Sequence, residues 1–128
     1  MRVLLDTHAL VWAVLASRSL SKNASELIAD EENEIVVSAA SAWEIATKVR
    51  LGKMPEAAEF EMNFLEDIGA AGYEMRAITV EDGLRAGRLM GPHQDPFDRM
   101  IAAQALADDI PVISIDPKLD GFGIRRIW

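Results

Sequence analysis

The chain contains no cysteine, which excludes disulfide bridges, zinc–thiolate centres and thiol nucleophiles. A reducing, cytoplasmic location is therefore expected. Long apolar runs are also missing. The longest, Ala9 to Ala16, is too short to span a bilayer, and Asp6 comes too early for a secretory leader. Neither export nor membrane insertion is expected. No glycine-rich phosphate loop is present, so nucleoside triphosphate binding has little support. Positive charge is short: 13 Lys and Arg face 21 Asp and Glu, for a net charge of −8. That balance opposes holding nucleic acid through bulk positive charge. The objection weakens if divalent cations fill an acidic pocket, because a bound metal reverses the sign that a phosphate meets.

Half of the 128 residues are apolar and 27% are charged, the balance of a folded globular chain. With no linker-like composition shift, one domain over residues 1–128 is expected. Arg2 to Asp6 reads as a buried strand followed by a helix, and Leu20 to Asp30 as an amphipathic helix. Glu34 to Ser38 reads as a second strand. A helix starting at Ser38 or Ser41 runs to about Leu51, where Gly52 and Pro55 stop it. Phe60, Phe64, Leu65 and Ile68 mark another amphipathic helix, and Met75 to Thr79 a third strand. Thr79 can cap a helix containing Leu84, Ala86 and Leu89, which Gly91-Pro92 breaks. Asp95 as N-cap and Pro96 at the first helical position start the next helix, with Ile101, Ala102, Ala105 and Leu106 on its apolar face. Pro111 to Ile115 and the terminal Ile124 to Trp128 complete the strands, the latter at an edge protected by charge. Strands separated by helices imply right-handed crossovers, hence an α/β fold: a three-layer α/β/α sandwich around a mostly parallel sheet.

In such sheets, sites form beyond the carboxyl ends of the strands. Asp6 ends the first strand and Asp116 the one beginning near Pro111. Glu44 and Asp98 fall in the first turns of helices that begin at the same edge. Clustered carboxylates repel unless a cation compensates. Hard oxygen donors, no cysteine and only two histidines point to Mg²⁺ or Mn²⁺ rather than zinc. The chemistry that suits this arrangement is in-line hydrolysis of a phosphodiester by metal-activated water.

Four segments carry a family resemblance. They are Leu4-Leu5-Asp6-Thr7-His8, Val37 to Ile45, Asp95 to Ala105, and Val112-Ile113-Ser114-Ile115-Asp116. Each alone is weak, but four in this order are specific. The chain resembles the PIN-domain nucleases over nearly its whole length and, within them, the VapC toxins. The resemblance implies the PIN fold, a Mg²⁺- or Mn²⁺-dependent ribonuclease activity, and catalytic metal ligands at Asp6, Glu44, Asp98 and Asp116. Ser114 matches the hydroxyl that the family places two residues before its fourth acid. The fourth acid is the least constant in the family. The resemblance also implies tRNA or ribosomal RNA as substrate and a cognate VapB-type antitoxin as partner; a homodimer is expected as well, since a dimer or antitoxin would bury whatever apolar face remains exposed.

Each residue has a plainer role open to it. Asp6 can cap the following helix, and Asp116 before Pro117 can serve a turn. Glu44 stands three residues after Ser41, the spacing of a capping box, and four before Lys48, the spacing of a helical ion pair. Asp95 before Pro96 reads as a cap, which leaves the ligand role to Asp98. His8 is expected to be satisfied by its helix-start neighbours. Arg85, Arg88, Arg99, Arg125 and Arg126 are candidate phosphate contacts, none singled out. The Phe60 to Ile68 stripe reads as core or partner-facing. Two other functions remain open: a catalytically silent binding module on the same fold, and a receiver-like phospho-accepting switch. The switch needs adjacent acids after one strand and a lysine at a later strand end; here Thr7 follows Asp6, and Ser114 to Asp116 holds no lysine.

Overall fold

The computed structural model describes residues 1–128. Five strands, β1 (Arg2–Leu5), β2 (Glu34–Ser38), β3 (Glu74–Arg76), β4 (Val112–Ile113) and β5 (Arg126–Ile127), form one sheet in the order β3-β2-β1-β4-β5. Every neighbouring pair is parallel. Successive strand side chains point to opposite faces. Val3, Leu5, Ile35, Val37 and Ile113 therefore pack on one side, and Leu4, Val36 and Val112 on the other. Both faces are covered, which is why β1 and β2 read as unbroken aliphatic runs.

Crossover handedness assigns the helices to their layers. The chain leaves β1 through α1 (Thr7–Val14) and α2 (Lys22–Ala29) to reach β2. It continues in the same direction to β3 through α3 (Ala39–Arg50), α4 (Ala58–Met62) and α5 (Phe64–Ala71). Leu10, Ala24, Ile45, Phe60 and Ile68 from these helices share one core with Val3 and Leu5. The step from β3 to β4 reverses direction, so α6 (Val80–Arg88) and α7 (Pro96–Asp108) cross on the opposite face. There Ile101, Ala102 and Ala105 pack on Leu4, Val36 and Val112, joined by Leu119 and Phe122 from a 3-10 turn at Pro117–Phe122. This is the expected three-layer α/β/α sandwich. No helix is long and apolar enough to cross a membrane.

Several local boundaries differ from the sequence reading, each for a physical reason. The helix expected over Phe60 to Ile68 is two short helices that meet at Asn63, whose side chain donates to the Glu59 carbonyl at 3.2 Å. Phe60 and Ile68 are buried, but the break turns Leu65 outward to 73% exposure. The third strand stops at Arg76 rather than Thr79, because Thr79 is committed to capping α6 in a reciprocal box with Asp82. The strand expected over Pro111 to Ile115 keeps only Val112 and Ile113. Beyond it the Ser114 hydroxyl accepts from the Asp116 N–H at 3.0 Å and turns the chain. Leu84 faces solvent, and Leu89 lies past the last turn of α6 as its C-cap.

The β3 edge is fastened by Arg76. Its guanidinium donates to Asp82 at 2.8 and 3.0 Å and to Asp108 at 2.9 Å, tying β3 to the start of α6 and the end of α7. Gln104 adds bonds to Asp82 and to the Ala77 carbonyl. Burial works to raise the Asp82 pKa, but the bonds from Arg76, the Thr79 N–H and Gln104 outweigh it and hold the group at about 2. Arg76→Met leaves the Asp82 charge buried without its partner and is expected to cost about 3 kcal/mol at neutral pH. The folded pKa lies below the unfolded value of about 3.9. The contribution of Asp82 is therefore full above about pH 4 and is lost as pH falls toward about 2. Urea unfolding at neutral pH and at about pH 2.5 should show the variant's deficit shrinking in acid.

Candidate functional site

Strand order reverses beside β1: the chain runs outward to β3 and then returns to β4 on the other flank. That switch point leaves a crevice at the carboxyl ends of β1 and β4. Asp6 directly follows β1, Asp116 follows β4 after a two-residue link, Glu44 lies in the second turn of α3, and Asp98 is the third residue of α7.

Asp6 is 5% exposed, and its Oδ1 accepts from the Ala9 N–H at 2.8 Å, which caps α1. Burial pushes its pKa up to about 6 against the pull of the Ser114 hydroxyl, the Ala9 N–H and His8, and the Asp98 charge adds to the rise. Capping and membership of the acidic group coexist in this one side chain. His8 itself is exposed, with its ring 5.7 Å from that of Trp12.

Asp98 is raised by burial first and then by the charges of Asp95 and Glu44, while a hydrogen bond with His93 opposes the rise. The His93 Nε2 lies 2.7 Å from Asp98 Oδ2. Asp95 is the N-cap of α7, accepting from the Asp98 N–H at 2.9 Å, with Pro96 in the first turn, as the sequence indicates. Asp116 is half-buried and caps the 3-10 turn through the Lys118 N–H at 2.9 Å. One donor atom each from His93, Asp98 and Asp116 lie within 4.8 Å of one another. Asp6 and Glu44 are not part of that closest group; they act on it through charge, Asp98 on Asp6 and Glu44 on Asp98.

Glu44 is 3% exposed. The capping box with Ser41 does not form, because Ser38 caps α3 through the Ala40 N–H at 3.0 Å. Ser41 is inside the helix, and its hydroxyl bonds to Thr7 at 2.9 Å. One Glu44 oxygen pairs with Lys48, as the spacing suggests, while Oε1 is buried with no hydrogen-bond partner. A buried carboxylate oxygen left in that state costs stability until a cation or water meets it.

His93 is the residue that the sequence reading passed over. The available signal was its place between the Gly91-Pro92 break and the Asp95-Pro96 helix start, which confines it to the same edge as Asp98. Among the candidate phosphate contacts, Arg99 is occupied: it donates to the carbonyls of Ala86 and His93 at 3.1 and 2.9 Å and also to that of Leu89. Arg126 pairs with Asp120, and Arg125 with the Asp109 carbonyl. Trp43, preceding Glu44, is 60% exposed and meets Phe97, preceding Asp98, edge to face at 4.7 Å.

A parallel α/β/α sandwich with buried carboxylates beside its switch point defines an open-sheet α/β protein with an acidic crest. The chain belongs to the PIN-domain family, whose model matches residues 3–124. Among solved structures, it is similar to VapBC2 from Rickettsia felis, determined with a DNA fragment from its promoter. That likeness has a TM-score of 0.70 at 20% identity, covering 99% of this chain and 98% of that one. FitAcB from Neisseria gonorrhoeae gives 0.68 at 15% identity, covering 98% and 96%. VapC20 from Mycobacterium tuberculosis, a sarcin–ricin-loop-cleaving toxin, gives 0.67 at 16% identity, covering 95% of each chain. At these identities the likeness is one of fold. Among curated proteins none matches the sequence significantly.

The raised Asp6 pKa has a consequence for stability. Its folded value of about 6 exceeds the ordinary 3.8. Ionising Asp6 therefore costs the fold nothing below about pH 4, and the full cost is present above about pH 6. In chelator-treated protein Asp6→Asn, which preserves the cap, should raise stability by on the order of 1–3 kcal/mol at neutral pH. Thermal melts from pH 4 to 8 should show the gain opening between about pH 4 and 6. An unchanged or lower melting temperature at neutral pH would refute a strained carboxylate.

Proposed function

We propose that the protein is a Mg²⁺- or Mn²⁺-dependent endoribonuclease of the VapC toxin type. The observation that carries this reading is the buried Glu44 Oε1 without a partner, in the same electrostatic field as Asp98 and Asp6. A divalent cation fits a donor set of this kind, hard and rich in carboxylate. Asp6, Glu44, Asp98 and Asp116 are the proposed ligands. When bound, such a cation shields the charge of a phosphodiester and acidifies water that attacks in line. The chain's own part is positioning. Asp6 is fixed by its cap, Asp98 by Asp95 and His93, and Asp116 by Ser114 and Lys118, so their carboxylates are oriented before substrate arrives.

RNA as substrate is supported by family membership and by the fold shared with a sarcin–ricin-loop-cleaving toxin. With a net charge of −8, affinity for RNA depends on the cation rather than on surface arginines, several of which are occupied within the fold. A VapB-type antitoxin is the proposed partner, supported by the fold shared with a VapBC complex. The exposed Met62 and Leu65, and Val80, Leu84 and Met90 along and beyond α6, provide apolar surface that an antitoxin or a second copy of the chain would cover.

Purified, partner-free protein incubated with tRNA or ribosomal RNA should cleave it in Mg²⁺ or Mn²⁺ and stop on addition of a chelator. Asp6→Ala and Asp98→Ala should each slow cleavage by at least about 100-fold. Cleavage that proceeds in both variants at the parent rate would sink the assignment.

A further inference from the structure

His93 stands outside the four acids, yet the surrounding structure fixes its position from several sides. Its imidazole side chain is 14% exposed, Nε2 lies 2.7 Å from Asp98 Oδ2, and one ring nitrogen shares the 4.8 Å donor group with Asp98 and Asp116. The loop that carries it is clamped by Arg99, the residue after Asp98. That guanidinium bonds the Ala86, Leu89 and His93 carbonyls and stacks 5.4 Å over the Phe122 ring. The Phe122 ring in turn lies 6.0 Å from the imidazole. Gly91 permits this packing: at φ +140 it adopts a backbone conformation that suits glycine, and a Cβ there would stand 3.3 Å from the Phe122 ring. Arg99 thus spends its donors on holding a loop whose one imidazole faces the acids.

We propose that His93 is itself a ligand of the divalent cation, making this a mixed nitrogen–carboxylate centre that holds Mn²⁺ in preference to Mg²⁺. The inference rests on the cation-dependent reading above. Mg²⁺ takes oxygen donors almost exclusively, whereas imidazole suits first-row transition ions. For His93 to ligate through Nε2, its ring proton resides on Nδ1. Arg99, Phe122 and Gly91 are positioning residues for that ring.

The test is calorimetric titration of metal-stripped, full-length protein with Mn²⁺ and separately with Mg²⁺, alongside pulsed EPR of the Mn²⁺ form. Wild type should bind Mn²⁺ more tightly and show ¹⁴N coupling from a coordinated imidazole. His93→Gln, which can still hydrogen-bond to Asp98, should lose about 10-fold or more in Mn²⁺ affinity and lose the coupling. Its Mg²⁺ affinity should stay within about two-fold. Absence of ¹⁴N coupling in wild type, its survival in His93→Gln, or an unchanged Mn²⁺-to-Mg²⁺ preference overturns the proposal. The wild-type spectrum decides without depending on how the variant folds. Asp98→Asn separates the two readings: it should weaken both metals, and unchanged binding of both would overturn the cation site itself.

Discussion

Everything at the crest follows from the way β1 ends. The central strand must bury Val3 and Leu5 on one face and Leu4 on the other, and the next residue is a carboxylate that is also withdrawn from water. A charge in that position is tolerable only if nearby groups are arranged for it. The first helix supplies an N–H, the loop after β4 a hydroxyl, and His8 a favourable charge, yet burial outweighs them and raises the pKa to about 6. The sheet is therefore assembled around a local deficit of positive charge. Adding Asp98 deepens it. The same feature that weakens the fold is what the proposed cation would relieve.

Helix starts and turns distribute the acids around this point. Asp6, Asp95 and Asp116 each spend an oxygen on a backbone N–H of the element they introduce. Capping thus commits only one of the two carboxylate oxygens in each. Glu44 is placed differently. It sits within α3 rather than at its start, and its second oxygen is left free because its only fixed partner is Lys48. At the opposite edge, Asp82 shows how the fold treats a buried carboxylate when an arginine is assigned to it: Arg76 binds it and its pKa falls. Both are shielded from solvent, but Asp6 is packed more deeply within the protein and has no arginine assigned to it.

Much of this was legible in the sequence because the strongest signals are local. The aliphatic runs of β1 and β2, the Asp95-Pro96 helix start and the Thr79 cap depend on neighbours within a few residues, and the structure reproduces them. The carboxyl-edge rule then brought Asp98 and Asp116 to one place. What escaped notice was set by contacts distant in sequence. Ser41 looks like a cap until Thr7, 34 residues earlier, binds its hydroxyl. Leu65 fits a helical stripe until Asn63 breaks the helix. His93 carries no periodicity, and its placement depends on Arg99 and Phe122 from two other elements.

The buried Thr7–Ser41 hydroxyl pair also bears on how this chain can vary in length. It sits just above the paired ends of β1 and β2, where Leu5 stands opposite Val37. A residue inserted in either strand would separate the hydroxyls, turn every strand side chain beyond it to the wrong face, and swing Asp6 or Glu44 away from the crevice. Between α3 and β3 no such bond measures the path, and the short helices meeting at Asn63 can absorb added or missing residues. Insertions and deletions among homologous chains should therefore collect in that segment, while the spacing from Asp6 back to β1 and from Ser38 on to Glu44 stays constant.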